Sequence, residues 1–492
     1  MSLSSALDAS RSALSAFGQQ TGVLSRNINN ASNPDATRKI VSLVTSPDGG
    51  STVGRTTRAV DVSLFNASLS STSQFQESST VLDALDRLDT LINDPELGRS
   101  PAALIGKLRD SLATFASQPD NTVLASSAIS SALSLSGALN SMSSQVQSIR
   151  MEADASLAQS AALMNTNLAD LHELNGQIVS GTQLGTDVTD LLDQRDVILK
   201  QFSQEMGISW SIKKDNDINI YTESGVTLYD RVPREVSFQQ SNLLTASTPG
   251  QQLYVDGVQI TGPGSPMPIT TGKIAGLIEV RDEVTQGFQS QLDEIARGLI
   301  EAFAESDQSA IPTLAAQAGL FTWPGGPGVP ASATVSVGIA SSISVNATLQ
   351  TGAVDAARLL RDGSISDPGN PAFEYNTNGY AGFSDRLDQM VEGIEGARSF
   401  DLAAGLDGSS DLLSFAADSA SWLGGLRADM SRDAEFHNIT AIRANEALSN
   451  ATGVNLDEEI AQMLQLERSY QASTKLISVV DELLGYLITS IR

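Results

Sequence analysis

At 492 residues the chain is longer than a single hydrophobic core supports, so two or more packed units are expected. Hydrophobic residues make up 41% but aromatics only 5%, a mixture that suits long, closely packed helices. Against 57 acids stand 30 bases, a net charge of −27 that repels phosphate backbones and anionic lipid, so neither nucleic acid nor membrane is an expected partner. With no cysteine, disulfides, thiolate metal sites and cysteine nucleophiles are excluded.

The first thirty residues lack the basic start and continuous apolar stretch of a cleaved signal. Instead Leu3, Leu7, Ser10, Leu14, Phe17, Thr21, Leu24 and Ile28 alternate steps of four and three, a heptad stripe. Asn29, Asn30, Ser32, Asn33 and Pro34 end it, and Arg38 to Ser46 reads as extended. Helices are predicted at Val81 to Asn93, at Ala102 to Ser117 and over the long run Val123 to Val179. The last carries Leu157, Ala161, Met164, Leu168, Leu171, Asn175 and Ile178 in register, with a register change at Ile149, Ala153 and Leu157.

From Gly207 the period becomes two: Ile208, Trp210 and Ile212, a turn at Asp215, Asn216 and Asp217, then Ile218, Ile220 and Tyr221 predict a β-hairpin. Further strands are expected at Val226 to Leu228, Val236 to Phe238 and Leu253 to Ile260, a helix at about Ile274 to Ser306, and a second β-looking run at Ala333 to Val345. Ala353 to Ser449 returns to helix, including Phe383 to Ala397 and Leu412 to Leu448. A last heptad stripe runs through Met463, Leu466, Tyr470, Ser473, Ile477, Val480, Leu484, Leu487 and Ile491, opened by Asn455 as N-cap and by Asp457, Glu458 and Glu459 at the positive end of the helix dipole.

The fold expected is mainly α with β inserts. Terminal helices at 1–40 and 451–492 pair as a coiled coil, 41–206 and 351–450 form a long-helix bundle, and 207–350 forms a smaller β-rich outer region inserted between the helical halves, with one helix at about 274–306.

Catalytic constellations are absent from the pattern. His172 and His437 have no second ligand at i+4. Asp215, Asp217 and Asn219 start a calcium-loop pattern, but Ile220 and Val226 occupy the places of its glycine and its bidentate glutamate, so a hairpin turn is the better reading. Gly325, Gly326 and Gly328 lack the Lys and Ser/Thr of a phosphate loop. Asp83, Asp86 and Asp89 read as a solvated helix face. No catalytic, cofactor or metal site is expected. The surface expected to act is the pair of terminal stripes, whose apolar positions one subunit cannot bury fully, so half of the C-terminal stripe would stay wet in a monomer.

Three segments carry a resemblance. Ser25 to Pro34, SRNINNASNP, resembles the motif that closes the first helix of axial flagellar proteins. Gly453 to Ser473, GVNLDEEIAQMLQLERSYQAS, is similar to the ending of the hook-associated protein 1 (FlgK) family, the hook-filament junction subunits. Thr189 to Asp196, TDLLDQRD, looks like an internal segment of that family. Asp35 and Ala36 depart from it, standing where its N-terminal motif continues with Gly and Tyr, and Gly250 to Asn370 matches nothing nameable. The resemblance implies an extracellular flagellar subunit, exported by the type III route without a cleaved signal and self-assembling into a ring. Its implied partners are the hook protein, the second hook-filament junction protein and a flagellar export chaperone. Flagellin, the second junction protein or a cytoplasmic coiled-coil scaffold are the competing readings.

Overall fold

The computed structural model describes residues 3–45, 51–92, 98–350 and 352–490. Ser46 and Asn93, where two predicted elements end, lie outside the described residues, as do Met1, Thr351 and Arg492 at predicted boundaries. The chain opens with α1 (Leu3–Asn30), then a two-stranded antiparallel ribbon of β1 (Lys39–Thr45) and β2 (Ser51–Arg58). Four helices follow: α2 (Val62–Ile92), α3 (Pro101–Ser117), α4 (Thr122–Leu184) and α5 (Thr189–Glu205).

The β insert begins with β3 (Ile208–Ile212), β4 (Ile218–Thr222), β5 (Thr227–Asp230) and β6 (Val232–Pro233), one four-stranded antiparallel sheet. A three-stranded sheet of β7 (Val236–Ser237), β8 (Tyr254–Val255) and β9 (Val258–Gln259) completes it. Next come α6 (Lys273–Glu279), a π-helical turn at Val280–Val284, and α7 (Thr285–Ala302). Loops hold the two-stranded pair β10 (Phe321–Thr322) and β11 (Ser344–Val345). The chain then returns to helix with α8 (Ala353–Asp362) and α9 (Asp385–Glu395). After the short pair β12 (Arg398–Ser399) and β13 (Ser409–Ser410) it ends in α10 (Leu412–Thr452) and α11 (Leu456–Ser490). The fold is mainly α with small β inserts, as expected.

The spine is α4. Asn121 caps it by accepting from the amides of Val123 and Leu124, and Gly185, at φ 73°, closes it in the left-handed conformation that suits glycine. The heptad positions predicted for its second half are all buried, and so are Ile149 and Ala153 where the register changes. Among the described residues α4 is the one helix long and apolar enough to cross a membrane, by length and composition only. Here its apolar side packs on α3, α5, α7 and α8. A buried knot fixes the insert to it. Arg150 donates to the carbonyls of Arg281, Thr245 and Thr248, while Asp154 accepts from Arg281 at 2.7 Å and from the Ser241 amide. The Arg281 carbonyl, in the π-helical turn, also accepts from the Thr285 hydroxyl at 3.0 Å.

Three expectations need correction. The helix predicted from Val81 starts at Val62, because the buried positions of its first half include Ser68, which donates to Asn445 Oδ1 at 2.6 Å, and Ser71, Ser73 and Ser78, whose hydroxyls satisfy themselves on carbonyls three or four residues back. The β-looking run Ala333 to Val345 is mostly loop and a 3-10 turn at Ile339–Ser341, with only Ser344–Val345 paired. There the buried Asp293 carboxylate accepts from the amides of Gly338 and Ala340 and fastens the segment to α7. The stretch from Ala353 is three helices separated by loops, not one continuous return.

Between α2 and α6 the backbones come so close that a Cβ on Gly276 would lie 2.7 Å from the Glu77 carbonyl. This brings the Glu77 and Glu279 carboxyls into hydrogen-bonding contact, with Glu283 beside Glu279 and Asp433 beside Glu77. Two carboxylates bond only through a shared proton. Burial, then the Glu279 charge, pushes Glu77 up to about 7, and burial, then Glu283, pushes Glu279 up. A raised carboxyl pKa gives stability that is full below the ordinary value near 4.5 and lost as pH rises through about 7. The urea midpoint should therefore fall between pH 5 and 7.5, and Glu77→Gln, which keeps the bond without the charge, should flatten that fall; an unchanged slope would contradict the assignment.

Candidate assembly face and its joint to the bundle

Helices α1 and α11 run antiparallel and pack on one another. Asn27, near the end of α1, meets Glu459, near the start of α11, and further out Phe17 and Leu24 share a groove of about 350 Å³ with Leu466 and Ser469. The predicted stripe positions fall on this contact to different degrees. Leu24 and Val480 are buried, while Leu7, Leu14, Phe17, Ile28, Met463, Leu466, Ile477 and Leu484 are half-buried. Tyr470 sits at the rim, 45% exposed. The side chains of Leu3 and Leu487, and Ile491 as a whole, lie outside the described residues.

Where the helical pair meets the bundle, the buried amide of Asn27 acts as both donor and acceptor. Its Nδ2 donates to the Lys39 carbonyl and to Glu459 Oε2, each at 2.9 Å, and its Oδ1 accepts from the Lys39 amide at 2.9 Å. An amide side chain is what this position requires, since a carboxylate could not donate. The Arg38 amide bonds the Thr452 carbonyl at 2.8 Å, so the chain leaving α1 and the chain entering α11 are tied backbone to backbone.

The deeper tie comes from α5. Asp187, Asp190, Asp193 and Asp196 recur every third residue, which places them along one side of the helix start. Asp193 accepts four donors: the Thr37 amide at 3.1 Å, the Thr37 hydroxyl at 2.7 Å, Arg58 Nη1 at 2.9 Å and the Lys39 ammonium. Those four fill the two oxygens of a carboxylate. Arg58 also reaches Asp196 at 2.6 Å, and Arg26 reaches Asp187 at 2.8 Å. Burial works to lower the Arg58 pKa, but the charge and hydrogen bonds of Asp196 and Asp193 outweigh it and hold the guanidinium above its ordinary value. Burial also raises Asp187, and Arg26 with Thr189 overcomes it, leaving this carboxyl below the usual range. Between these acids, Arg195 faces the β insert and donates to the Asn216 carbonyl at 2.6 Å; burial brings it down to about 10.

Several of the chemistry-bearing residues named from sequence have structural partners, whereas His437 has a ring contact with Phe436 and a buried Nδ1 with no hydrogen-bond partner among the described residues. His172 Nδ1 lies 3.2 Å from the Tyr229 hydroxyl, Asp217 accepts from Asn175, and Asp86 and Asp89 face Arg427. Asp215, Asn216 and Asp217 form the turn between β3 and β4. Among the described residues no three His, Asp or Glu side chains come together as a metal site. Sequence reasoning missed Lys39 and Arg58, bases at the start of β1 and the end of β2. The three-residue recurrence of acids in the TDLLDQRD segment was the available signal that something cationic faces it.

Comparison with known proteins adds the family. A family model described as the flagellar hook-associated protein FlgK helical domain matches residues 85–320, and one described as the flagellar basal body rod FlgEFG protein C-terminal matches residues 446–490. Flagellar hook-associated protein 1 of Salmonella typhimurium is 22% identical over 317 residues, 61% of this chain and 56% of that protein. The Bacillus subtilis protein of the same name is 21% identical over 378 residues, 71% of this chain and 68% of that one. The chain belongs to the FlgK family. The solved structure of the flagellar hook junction protein FlgK from Burkholderia pseudomallei shares the fold, with a TM-score of 0.59 at 13% identity over 78% of this chain and 99% of that one. The match spans a little over half the length of the Salmonella FlgK-family protein.

Because Asp193 faces two buried cations, Asp193→Asn should leave Lys39 and Arg58 partly unpaired and cost about 3 to 5 kcal/mol locally. Limited proteolysis should then cut within residues 31–61 and release the N-terminal helix from an intact bundle. Equal resistance of variant and parent would contradict the clamp.

Proposed function

We propose that this chain is a non-catalytic structural subunit of the bacterial flagellum that forms the junction between hook and filament, assembling through its N- and C-terminal helices. The observation that carries this reading is the antiparallel α1 and α11 pair, joined to a helical bundle by the Asp193 clamp and leaving most of α11 uncovered, in a chain of the FlgK family. A subunit with its two chain ends clamped together at one side of the bundle presents them to neighbours as one element. In this reading residues 1–40 and 451–492 line the inner tube, 41–206 and 351–450 form the surrounding shell, and 207–350 faces outward.

The partners follow from the same reading. Copies of the chain form a ring, with the hook protein on one side and the second hook-filament junction protein on the other. A cytoplasmic chaperone holds the C-terminal helix until the subunit leaves by the flagellar export route. The net charge of −27 keeps the unassembled subunit soluble.

Cells lacking this chain should, by electron microscopy, carry hooks without filaments and release filament monomers to the medium. Normal filaments on such cells would refute the assignment.

A further inference from the structure

Two asparagines in the sequence are followed by glycine, Asn175 with Gly176 and Asn378 with Gly379. In such a pair the glycine nitrogen can turn toward the preceding side-chain amide with no Cβ in the way. The structure treats the two pairs in opposite ways. Asn175 lies inside α4, 4% exposed, and its Nδ2 donates to Asp217 Oδ1 at 2.8 Å and to the Tyr229 hydroxyl at 3.3 Å. The helix commits the Gly176 nitrogen to its own hydrogen-bond ladder, so side chain and nitrogen are both held apart from each other.

Asn378 stands in the loop between α8 and α9, exposed, and among the described residues its side chain has no hydrogen-bond partner. Its turn is closed by the Gly379 amide donating to the Asn376 carbonyl at 3.0 Å. Gly379 has φ 65°, and nothing lies within 4 Å of where its Cβ would stand, so breaking that one bond frees the nitrogen in open space. The neighbouring Asn376 is buried and clasps the far side of the same turn. Its Oδ1 accepts from the Tyr380 amide at 2.9 Å, and its Nδ2 donates to the Tyr380 carbonyl at 2.9 Å and to Asp362 Oδ1, at the end of α8, at 2.7 Å.

We propose that Asn378 is a self-modification site, at which the chain converts its own side-chain amide to a carboxylate and so releases the 376–380 turn from α8. The Gly379 nitrogen gives up its proton and bonds to Asn378 Cγ. The Cγ–Nδ2 bond breaks, and the amide leaves with that proton as ammonia, closing a five-membered imide. Water then opens the ring. Opening at Cγ leaves aspartate; opening at the Asn378 backbone carbonyl leaves isoaspartate, whose chain runs through Cβ and Cγ. Each product adds a negative charge, and the second also lengthens the backbone by one atom between Asn376 and Tyr380. Asn376 cannot then keep both of its bonds to Tyr380 and its bond to Asp362.

The test is to age the purified full-length chain at pH 6 and at pH 8.5 and to map its peptides by mass. A gain of about one dalton is expected at Asn378, at least tenfold faster at the higher pH because the attacking nitrogen must lose its proton, while Asn175 in the same molecules stays unchanged. Gly379→Ala should slow the gain at least tenfold, and Asn378→Gln should abolish it. As the parent ages, chymotryptic cleavage after Tyr380 should rise several-fold, and it should stay flat in the Asn378→Gln chain. No gain at Asn378, or an equal gain at Asn175, would overturn the site. A modified chain cut no faster than a fresh one would overturn the release of the turn.

Discussion

One buried carboxylate sets the geometry on which the rest depends. Asp193 gathers the linker after α1, through Thr37 and Lys39, and the end of the ribbon, through Arg58, onto the first turns of α5. Both cations are themselves buried, and carboxylates of α5 neutralise them there, Asp193 with Asp196 for Arg58 and Asp193 with Asp190 for Lys39. The terminal helices, more than four hundred residues apart in the chain, meet because each is tied to this spot: α1 through Asn27 and the Lys39 backbone, α11 through Glu459 on Asn27 and through the Arg38 to Thr452 backbone bond. The clamp thus decides where the helical pair leaves the bundle. On the opposite side of the same helix start, Arg195 holds the β3 to β4 turn, which links the position of the insert to that of the terminal pair.

Beyond the clamp the helical pair is under-covered by design of its own sequence. Apolar residues on three sides of α11 are satisfied on one, while α4 buries every position of its predicted heptad. A chain with so large a surplus of acid can carry open apolar seams without indiscriminate association, because long-range repulsion opposes encounters that lack matching charge. Stability is therefore unevenly distributed, high where α4 is enclosed and lower toward the free end of α11.

Much of this was legible in the sequence, and the reasons differ by element. The heptad of α4 and its register change announced a helix whose positions are all buried. Pro34 punctuated the chain as its backbone chemistry requires. The first half of α2 was hard to read because, beside Phe65 and Leu69, its buried residues are serines, three of which bond their own backbone, leaving too few apolar positions to mark a period. Ala333 to Val345 alternated like a strand but folds around the Asp293 carboxylate, a tertiary contact that no local pattern carries. At the joint the TDLLDQRD segment stood out only by resemblance, and its meaning depends on bases some 135 to 154 residues away. The C-terminal stripe was read as pairing with the N-terminal helix or with neighbouring subunits, and within the molecule it is the side that α1 partly covers. The exposed apolar residues of α11 lay beside it, masked by the regularity of the stripe.

The most direct test of the clamp as anchor is hydrogen exchange on the purified monomer, followed amide by amide along the terminal pair. Strong protection at Lys39 and Glu459 around Asn27, falling steadily along α11 to rapid exchange beyond Leu476, is the predicted profile. Equal protection from Glu459 to Thr489, or rapid exchange at Lys39 and Glu459 themselves, would contradict it.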